Sequence, residues 1–321
     1  MTWHMLAAAA AVLATPLTAV SDAPATPDGL AGIETSPEAE ILEIERERYR
    51  RMTVPVTIGE EGPFRFMIDT GAQATVLSRG LADRLELFDR DSALLVGMAS
   101  QRHVETTAIP DFGLGTRRFY IRTAPLVEGA NIGDADGILG LDSLQDQRVL
   151  IDFVKEQIHV ADAKELGGDR GYEIIVEARE RLGQLIITEA RLDGIDVAVI
   201  VDTGAQGSIG NMALLERLRR TRQLGEIELT DVNGVQLSGP VKMGRALSIG
   251  RASLNNFPIL FTDSPPFRGL GLADEPALIL GMAELKLFRR VAIDFKTRHV
   301  LFDLPRNAQD FQTMIGRRMG V

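Results

Sequence analysis

The sequence predicts a mostly β chain made of two similar lobes related by a pseudo-twofold axis. Three observations carry this. An apolar, β-branched run that stops at Asp-Thr-Gly-Ala-Gln occurs twice, at Phe66–Gln73 and at Val199–Gln206. Each copy is followed by an Ile-Leu-Gly, at Ile138–Gly140 and Ile279–Gly281, and then by an Ile-Asp-Phe, at Ile151–Phe153 and Ile293–Phe295. Matching positions also drift apart smoothly. Asp69 and Asp202 lie 133 residues apart, Gly115 and Gly250 135, Gly140 and Gly281 141, and Asp152 and Asp294 142. An interval that grows without reversing is the mark of a duplication with insertions.

Taken in order, Met5–Val20 is an uncharged Ala/Leu/Val-rich run followed by small residues at Ser21–Ala23. It reads as a secretory signal peptide over 1–23, although no Lys or Arg precedes it. Export to the periplasm or the cell exterior is therefore expected. The run is shorter than the ~20 residues of a spanning helix; an uncleaved anchor and a buried helix are the alternatives. Residues 24–51 read as a Pro/Ala/Gly-rich linker and then a charged helix. Ser36 is its cap, Pro37 its first position, and acids fill its first turn. This stretch either leads into the first strand or restrains the lobes as an inhibitory segment.

The N-terminal lobe, 52–163, opens with a strand over Thr53–Ile58, where Pro55 suggests an edge. A turn at Glu61-Gly62 returns the chain as the strand that delivers Asp69. A strand over Ala74–Leu77 and a helix from Arg79 capped by Ser78 follow. Next come a hairpin around Gly97, a strand over Phe119–Val127, the Ile138–Gly140 stretch, and a strand pair at Arg148–Phe153 and Gln157–Ala161. Polar, Gly-rich residues 164–171 link the lobes. The C-terminal lobe, 172–304, repeats the plan: a turn at Asp193-Gly194, a strand to Asp202, and a helix from Met212 to Arg222 capped by Asn211. A hairpin follows, with a type I′ turn at Asn233-Gly234. The loop Thr262–Pro276 is the main insertion, and 305–321 is a tail.

Composition narrows the function classes. A net charge of −10 and a pI of about 5.1 argue against nucleic acid as a main partner. The chain has no cysteine, which removes disulfides, thiolate chemistry and a lipidated cysteine. At 45% hydrophobic and 25% charged, it has the balance of a soluble globular protein.

The repeated stretch suits one kind of chemistry. Two carboxylates sharing one proton can act as base and acid together, which activates water without a metal or a covalent nucleophile. Like-charge repulsion keeps one of them protonated when they sit a few ångströms apart. One Asp from each of two matching lobes, Asp69 and Asp202, meets that need. Gly71 and Gly204 let the backbone turn close to the carboxylates. Thr70 and Thr203 can hydrogen-bond across the lobe interface and tie the loops together.

The motif Asp-Thr-Gly-Ala-Gln-x-(Thr/Ser) with its later Ile-Leu-Gly resembles the retropepsin-like aspartic proteases. The resemblance covers Thr53 to Leu304. It is to a bacterial single-chain form whose two lobes act as an intrachain pseudo-dimer, so one chain is expected to suffice. It implies the bilobed pepsin/retropepsin-like fold and endopeptidase hydrolysis of a protein or peptide lying extended in the inter-lobe cleft. It implies Asp69 and Asp202 as catalytic, with Ala72 and Ala205 supporting the loops. Ile138, Leu139, Gly140, Ile279, Leu280 and Gly281 would pack beneath them, and Gly97, Met98, Asn233 and Gly234 would be flap residues. No cofactor or metal is implied. A catalytically silent peptide-binding or sensing module on the same fold is the alternative.

The sequence departs from the wider pattern. Ala72 and Ala205 stand where pepsins have Ser, no Tyr lies between Ser92 and Ile109, and Gln73 and Gln206 replace an Asp common in viral enzymes. Losing a hydroxyl donor beside each carboxylate should raise the pair's pKa and move the activity optimum toward mildly acidic or neutral pH. Asp152 and Asp294 also repeat, and are read as inter-strand or surface contacts. Asp134–Gly137 lacks the remaining ligands of a calcium loop. His103, His159 and His299 have no metal-ligand spacing, and Arg219–Arg222 reads as a solvated helix end.

Overall fold

The structure, a computed structural model, describes residues 4–6, 10–11, 53–133, 135–218 and 221–305. Most of the expected signal peptide, the helix from Ser36, Asp134, Arg219, Arg220 and the tail from 306 lie outside the described residues.

Two short strands come first, β1 (His4–Leu6) and β2 (Ala10–Ala11). The N-terminal half then runs β3 (Thr53–Ile58), β4 (Glu61–Ile68), β5 (Val76–Ser78), α1 (Arg79–Arg84), β6 (Asp91–Val96), β7 (Gln101–Leu114) and β8 (Arg117–Val127). A 3-10 turn (Gly129–Ile132), β9 (Gly137–Leu139), α2 (Leu141–Leu144), β10 (Arg148–Asp152) and β11 (Gln157–Ala161) complete it. The C-terminal half runs β12 (Ile174–Glu177), β13 (Arg179–Arg181), β14 (Gln184–Leu192), β15 (Ile195–Val201), β16 (Ser208–Gly210), α3 (Met212–Arg217), β17 (Gln223–Asp231) and β18 (Gln236–Ile249). It ends with β19 (Ala252–Phe261), α4 (Pro265–Gly269), β20 (Ala277–Leu280), α5 (Met282–Leu285), β21 (Arg290–Asp294) and β22 (His299–Asp303).

The two halves fold alike. In the first, the strand order β3-β4-β9-β5-β8 closes on itself through β7, which pairs with both β8 and β3. In the second, β14-β15-β20-β16-β19 closes through β18, which pairs with both β19 and β14. Closure leaves few free edges and explains the composition of the strands. Phe66, Met67 and Ile68 at the end of β4 are all buried, as are Val199, Ile200 and Val201 in β15. A strand covered on both faces reads as a continuous apolar run rather than an alternation.

A third sheet, β11-β10-β21-β22-β12, is shared by both halves. Arg148 faces Asp294 across the β10–β21 pair. Its buried guanidinium donates to Asp294 Oδ2 from Nε at 3.0 Å and from a terminal nitrogen at 2.7 Å, and to the Gly168 carbonyl at 2.7 Å. Asp152 Oδ1 caps the Val154 and Lys155 amides at 3.0 and 2.9 Å. The second repeated Asp pair is therefore structural. Asp136 likewise accepts from the Arg65 amide at 2.8 Å. No helix among the described residues is long and apolar enough to cross a membrane.

Several local expectations need correction. The first turn is at Gly59-Glu60, so β4 starts at Glu61. The helix capped by Asn211 stops at Arg217, short of Arg222, and β17 begins at Gln223. The turn at Asn233-Gly234 is not type I′: only Gly234 has positive φ, at 74°. The conformation with both central residues at positive φ occurs instead at Asp193 (53°) and Gly194 (84°), between the paired Leu192 and Ile195. The Thr262–Pro276 segment contains α4, whose two prolines occupy first-turn positions that need no amide donor. Phe267, Leu270 and Leu272 anchor it in the apolar interior.

Candidate active site

Each Asp-Thr-Gly loop leaves the end of a buried strand and is pinned from below by the Ile-Leu-Gly strand. The Asp69 amide donates to Leu139 O at 3.1 Å, and the Leu141 amide to Ala72 O at 2.8 Å. In the other half the Asp202 amide donates to Leu280 O at 3.1 Å, and the Met282 amide to Ala205 O at 2.9 Å. Ile138 and Ile279 are buried beside Ala72 and Ala205. The repeated glycine has a steric cause. A Cβ on Gly140 would run into the Ala74 backbone, and one on Gly281 would sit 2.5 Å from Gly207 O. Gly140→Ala is expected to cost about 1–3 kcal/mol, checked by chemical denaturation.

Thr70 and Thr203 lock the loops to each other. Thr70 Oγ1 donates to Val201 O and Thr203 Oγ1 donates to Ile68 O, both at 2.8 Å. Each hydroxyl also accepts the other threonine's amide, both at 3.1 Å. All four bonds are buried and all cross between the lobes. Thr203→Val removes the hydroxyl but keeps the shape, leaving the Thr70 amide and Ile68 carbonyl without it. It is expected to cost about 1–3 kcal/mol, and Ser at that position should restore most of the loss in the same denaturation assay.

This lock brings Asp69 and Asp202 together. Both are almost fully buried, at 0% and 1% exposure. A Cβ on Gly71 would lie 2.5 Å from Asp202 Oδ2, and one on Gly204 would collide with the Asp69 carboxyl. Only glycine lets each loop approach the opposite carboxylate this closely. Asp69 Oδ1 accepts from the Gly71 amide at 2.8 Å. Asp202 Oδ1 accepts from the Gly204 amide at 2.8 Å and the Ala205 amide at 3.1 Å. The Oδ2 atoms of both are buried with no protein donor among the described residues. Burial pushes both carboxyls up. Asp69 goes well above the carboxylate range, the neighbouring Asp202 charge adding to the effect. Asp202 goes to about 6, held back by backbone amides, Gly204 first, and by a hydrogen bond with Asp69. No His, Asp or Glu cluster suited to a metal occurs among the described residues.

The support behind the loops is less symmetric. Thr75 Oγ1 donates to Asp142 Oδ1 at 2.6 Å and accepts the Gly140 amide at 3.2 Å. Ser208, its counterpart, donates to Glu284 at 2.6 Å. Thr75 and Ser208 were visible in the repeated motif. Their carboxylate partners stand two residues after Gly140 but three after Gly281, so aligning the copies does not match them. Gln184, buried on β14, donates to the Gly71 carbonyl, and Gln73 donates back to Leu182 O at 2.8 Å. No sequence signal marks Gln184. Gly97 and Met98 sit at the tip of the β6–β7 hairpin, and Asn233 and Gly234 at the tip of the β17–β18 hairpin. The two tips touch across the lobes, Asn233 Nδ2 donating to Ser100 Oγ at 3.0 Å.

Comparison with known proteins matches the sequence to a family. The family model described as Aspartyl protease matches residues 54–143 and again residues 188–283, together more than half of the chain. Among solved structures, the retropepsin-like aspartic protease from Rickettsia conorii is 19% identical, with a TM-score of 0.28, covering 41% of this chain and 90% of that one. The aspartic proteinase from Irpex lacteus is 12% identical, with a TM-score of 0.46, covering 82% of this chain and 95% of that one. Basic 7S globulin from soybean is 8% identical, with a TM-score of 0.40, covering 81% of this chain and 90% of that one. No curated protein matches the sequence. The family model matches once in each half, each time over an Asp-Thr-Gly and its Ile-Leu-Gly. The chain belongs to the aspartyl protease family.

Proposed function

We propose that the chain is an aspartic endopeptidase in which Asp69 and Asp202 share one proton and activate water against a peptide carbonyl. One observation carries the reading: two buried carboxyls are held together by crossed threonines, and each keeps an Oδ2 that no protein donor satisfies. A proton shared between them would relieve both the charge repulsion and the unpaired oxygens. The pair titrates as a unit. The ionised carboxyl takes a proton from water, while the protonated one gives its proton to the carbonyl oxygen. As the resulting diol collapses, the carboxyl that took the water's proton gives it to the amine, the other takes a proton from a diol hydroxyl, the C–N bond breaks and the pair returns to its starting state. The reading includes export of the chain, supported by the Met5–Val20 run.

A module that binds peptide without turnover is the second reading, favoured by the near-complete burial of both carboxyls. Incubating the chain with a mixture of unstructured peptides, with fragments identified by mass spectrometry, separates the two. Internal cleavage supports the endopeptidase. Binding of a statine-type transition-state mimic without any cleavage overturns it in favour of the module.

A further inference from the structure

The hairpin tips are where the duplication breaks its own symmetry. Val96 and Gln101 close the first tip, and Thr230 and Gln236 the second. Counting from the incoming strands, Gly97 corresponds to Asp231, and Met98 to Val232. The second pair behaves alike in both lobes. Met98 is buried in an apolar cluster of the opposite lobe with Ala205, Phe267 and Ile279. Val232 is buried in the opposite cluster with Ala72, Val76 and Ile138. Each tip thus plugs the other lobe next to its Asp-Thr-Gly loop.

The first pair cannot behave alike, because the two positions meet. A Cβ on Gly97 would collide with the Asp231 carboxylate, so only one of them can carry a side chain. Asp231 carries it, at 1% exposure, and its two oxygens divide the work. Oδ1 accepts from the Asn233 and Val235 amides of its own tip, at 2.9 and 3.0 Å. Oδ2 accepts from the opposite tip, from the Ala99 amide at 3.1 Å and Ser100 Oγ at 2.8 Å. Neighbouring groups reinforce the crossing. Asn131 Nδ2 donates to Val232 O at 3.1 Å, and Ser264 Oγ donates to Met98 O at 2.5 Å.

We propose that Asp231 is a positioning residue that clasps the two tips closed over Asp69 and Asp202, and that the Gly97–Ser100 tip is the half that swings away to admit a peptide. The asymmetry follows from the bonds. When the clasp parts, the Asp231 tip keeps both Oδ1 bonds and its shape. The Gly97 tip loses the carboxylate partner of both the Ala99 amide and the Ser100 hydroxyl, and is left with the Gly97 amide bond to Ser100 O, at 2.8 Å. The gate is therefore one-sided in a molecule whose lobes are otherwise twofold-related.

Hydrogen exchange on the full chain tests the clasp without relying on turnover. Asp231→Asn can keep the contacts within its own tip but sets an amide donor against the Ala99 amide. Residues 97–100 should then exchange about tenfold faster or more, as expected for losing charge-assisted bonds, while 231–235 change far less. Equal acceleration of both tips, or none, overturns the proposal; so does fast exchange of Ala99 in the unaltered protein.

The gating half rests on the endopeptidase reading and is tested separately. Ser100→Cys with Asp231→Cys places the only two thiols in a cysteine-free chain. Oxidation should lower peptide cleavage about 100-fold, reversibly with reductant, because closure then blocks entry. A verified disulfide that leaves the rate unchanged overturns the gate. If the unaltered chain cleaves nothing, it is the endopeptidase reading that fails, and the exchange result still decides the clasp.

Discussion

Asp202→Asn lowers peptide cleavage by about 10³-fold or more, and Asp69→Asn does the same. The amide keeps the shape of the carboxyl but can neither take a proton from water nor pass one to the carbonyl oxygen. Because the two groups act as one unit, the double variant should be little worse than either single one. The fold should survive, since the lock between the loops is made by Thr70 and Thr203 and not by the carboxyls. Steady-state kinetics on a cleaved peptide, with circular dichroism as the control, checks this. Full activity in both single variants would remove the pair from the chemistry.

The second large effect is on pH. Asp202 is raised from 3.8 to about 6, and Asp69 well above its ordinary value. From about pH 4 upward, through 6 and on until Asp69 ionises, the folded chain therefore binds more protons than the unfolded one. Stability should be complete below about pH 4 and fall as pH rises through 6. A rise of this size in Asp202 corresponds to about 3 kcal/mol by neutral pH. Asp69 adds to this, so denaturation of the wild type and the double Asn variant at pH 4 and pH 7 reads the combined loss, which should be at least as large, because the variant lacks both penalties. The cleavage rate should move the other way over the same range. It should climb as the pair loses its first proton and fall only when it loses its second. An optimum near pH 3 would contradict the burial of the pair and the absence of a hydroxyl at Ala72 and Ala205.

What could be read from the sequence was whatever the duplication wrote twice. Asp69 and Asp202, Thr70 and Thr203, and Gly140 and Gly281 do the same thing in both lobes, so position alone paired them. The caps at Ser78 and Asn211 were legible for the same reason: each accepts from the amide three residues on, Leu81 and Leu214. What was not legible was written once. Asp231 is opposite a glycine, so comparing the copies hides it. Gln184 reaches Gly71 across 113 residues with no counterpart among the described residues. The shared sheet joins β12 to β22 and β10 to β21, pairings between distant segments that no local pattern encodes. In Thr262–Pro276, two prolines read as a loop although they serve as the first turn of a buried helix. Asn233-Gly234 suggested a tight turn, but the carboxylate of Asp231 shapes a wider one by capping Asn233 and Val235.

The central claim is that one chain holds one working carboxyl pair. Titration of peptide cleavage with a tight statine-type transition-state mimic tests it most directly. The account predicts loss of all activity at one equivalent per chain, with no binding to the Asp202→Asn protein at the same concentrations. Cleavage that persists at saturating mimic, or loss of activity at one equivalent per two chains, would contradict it.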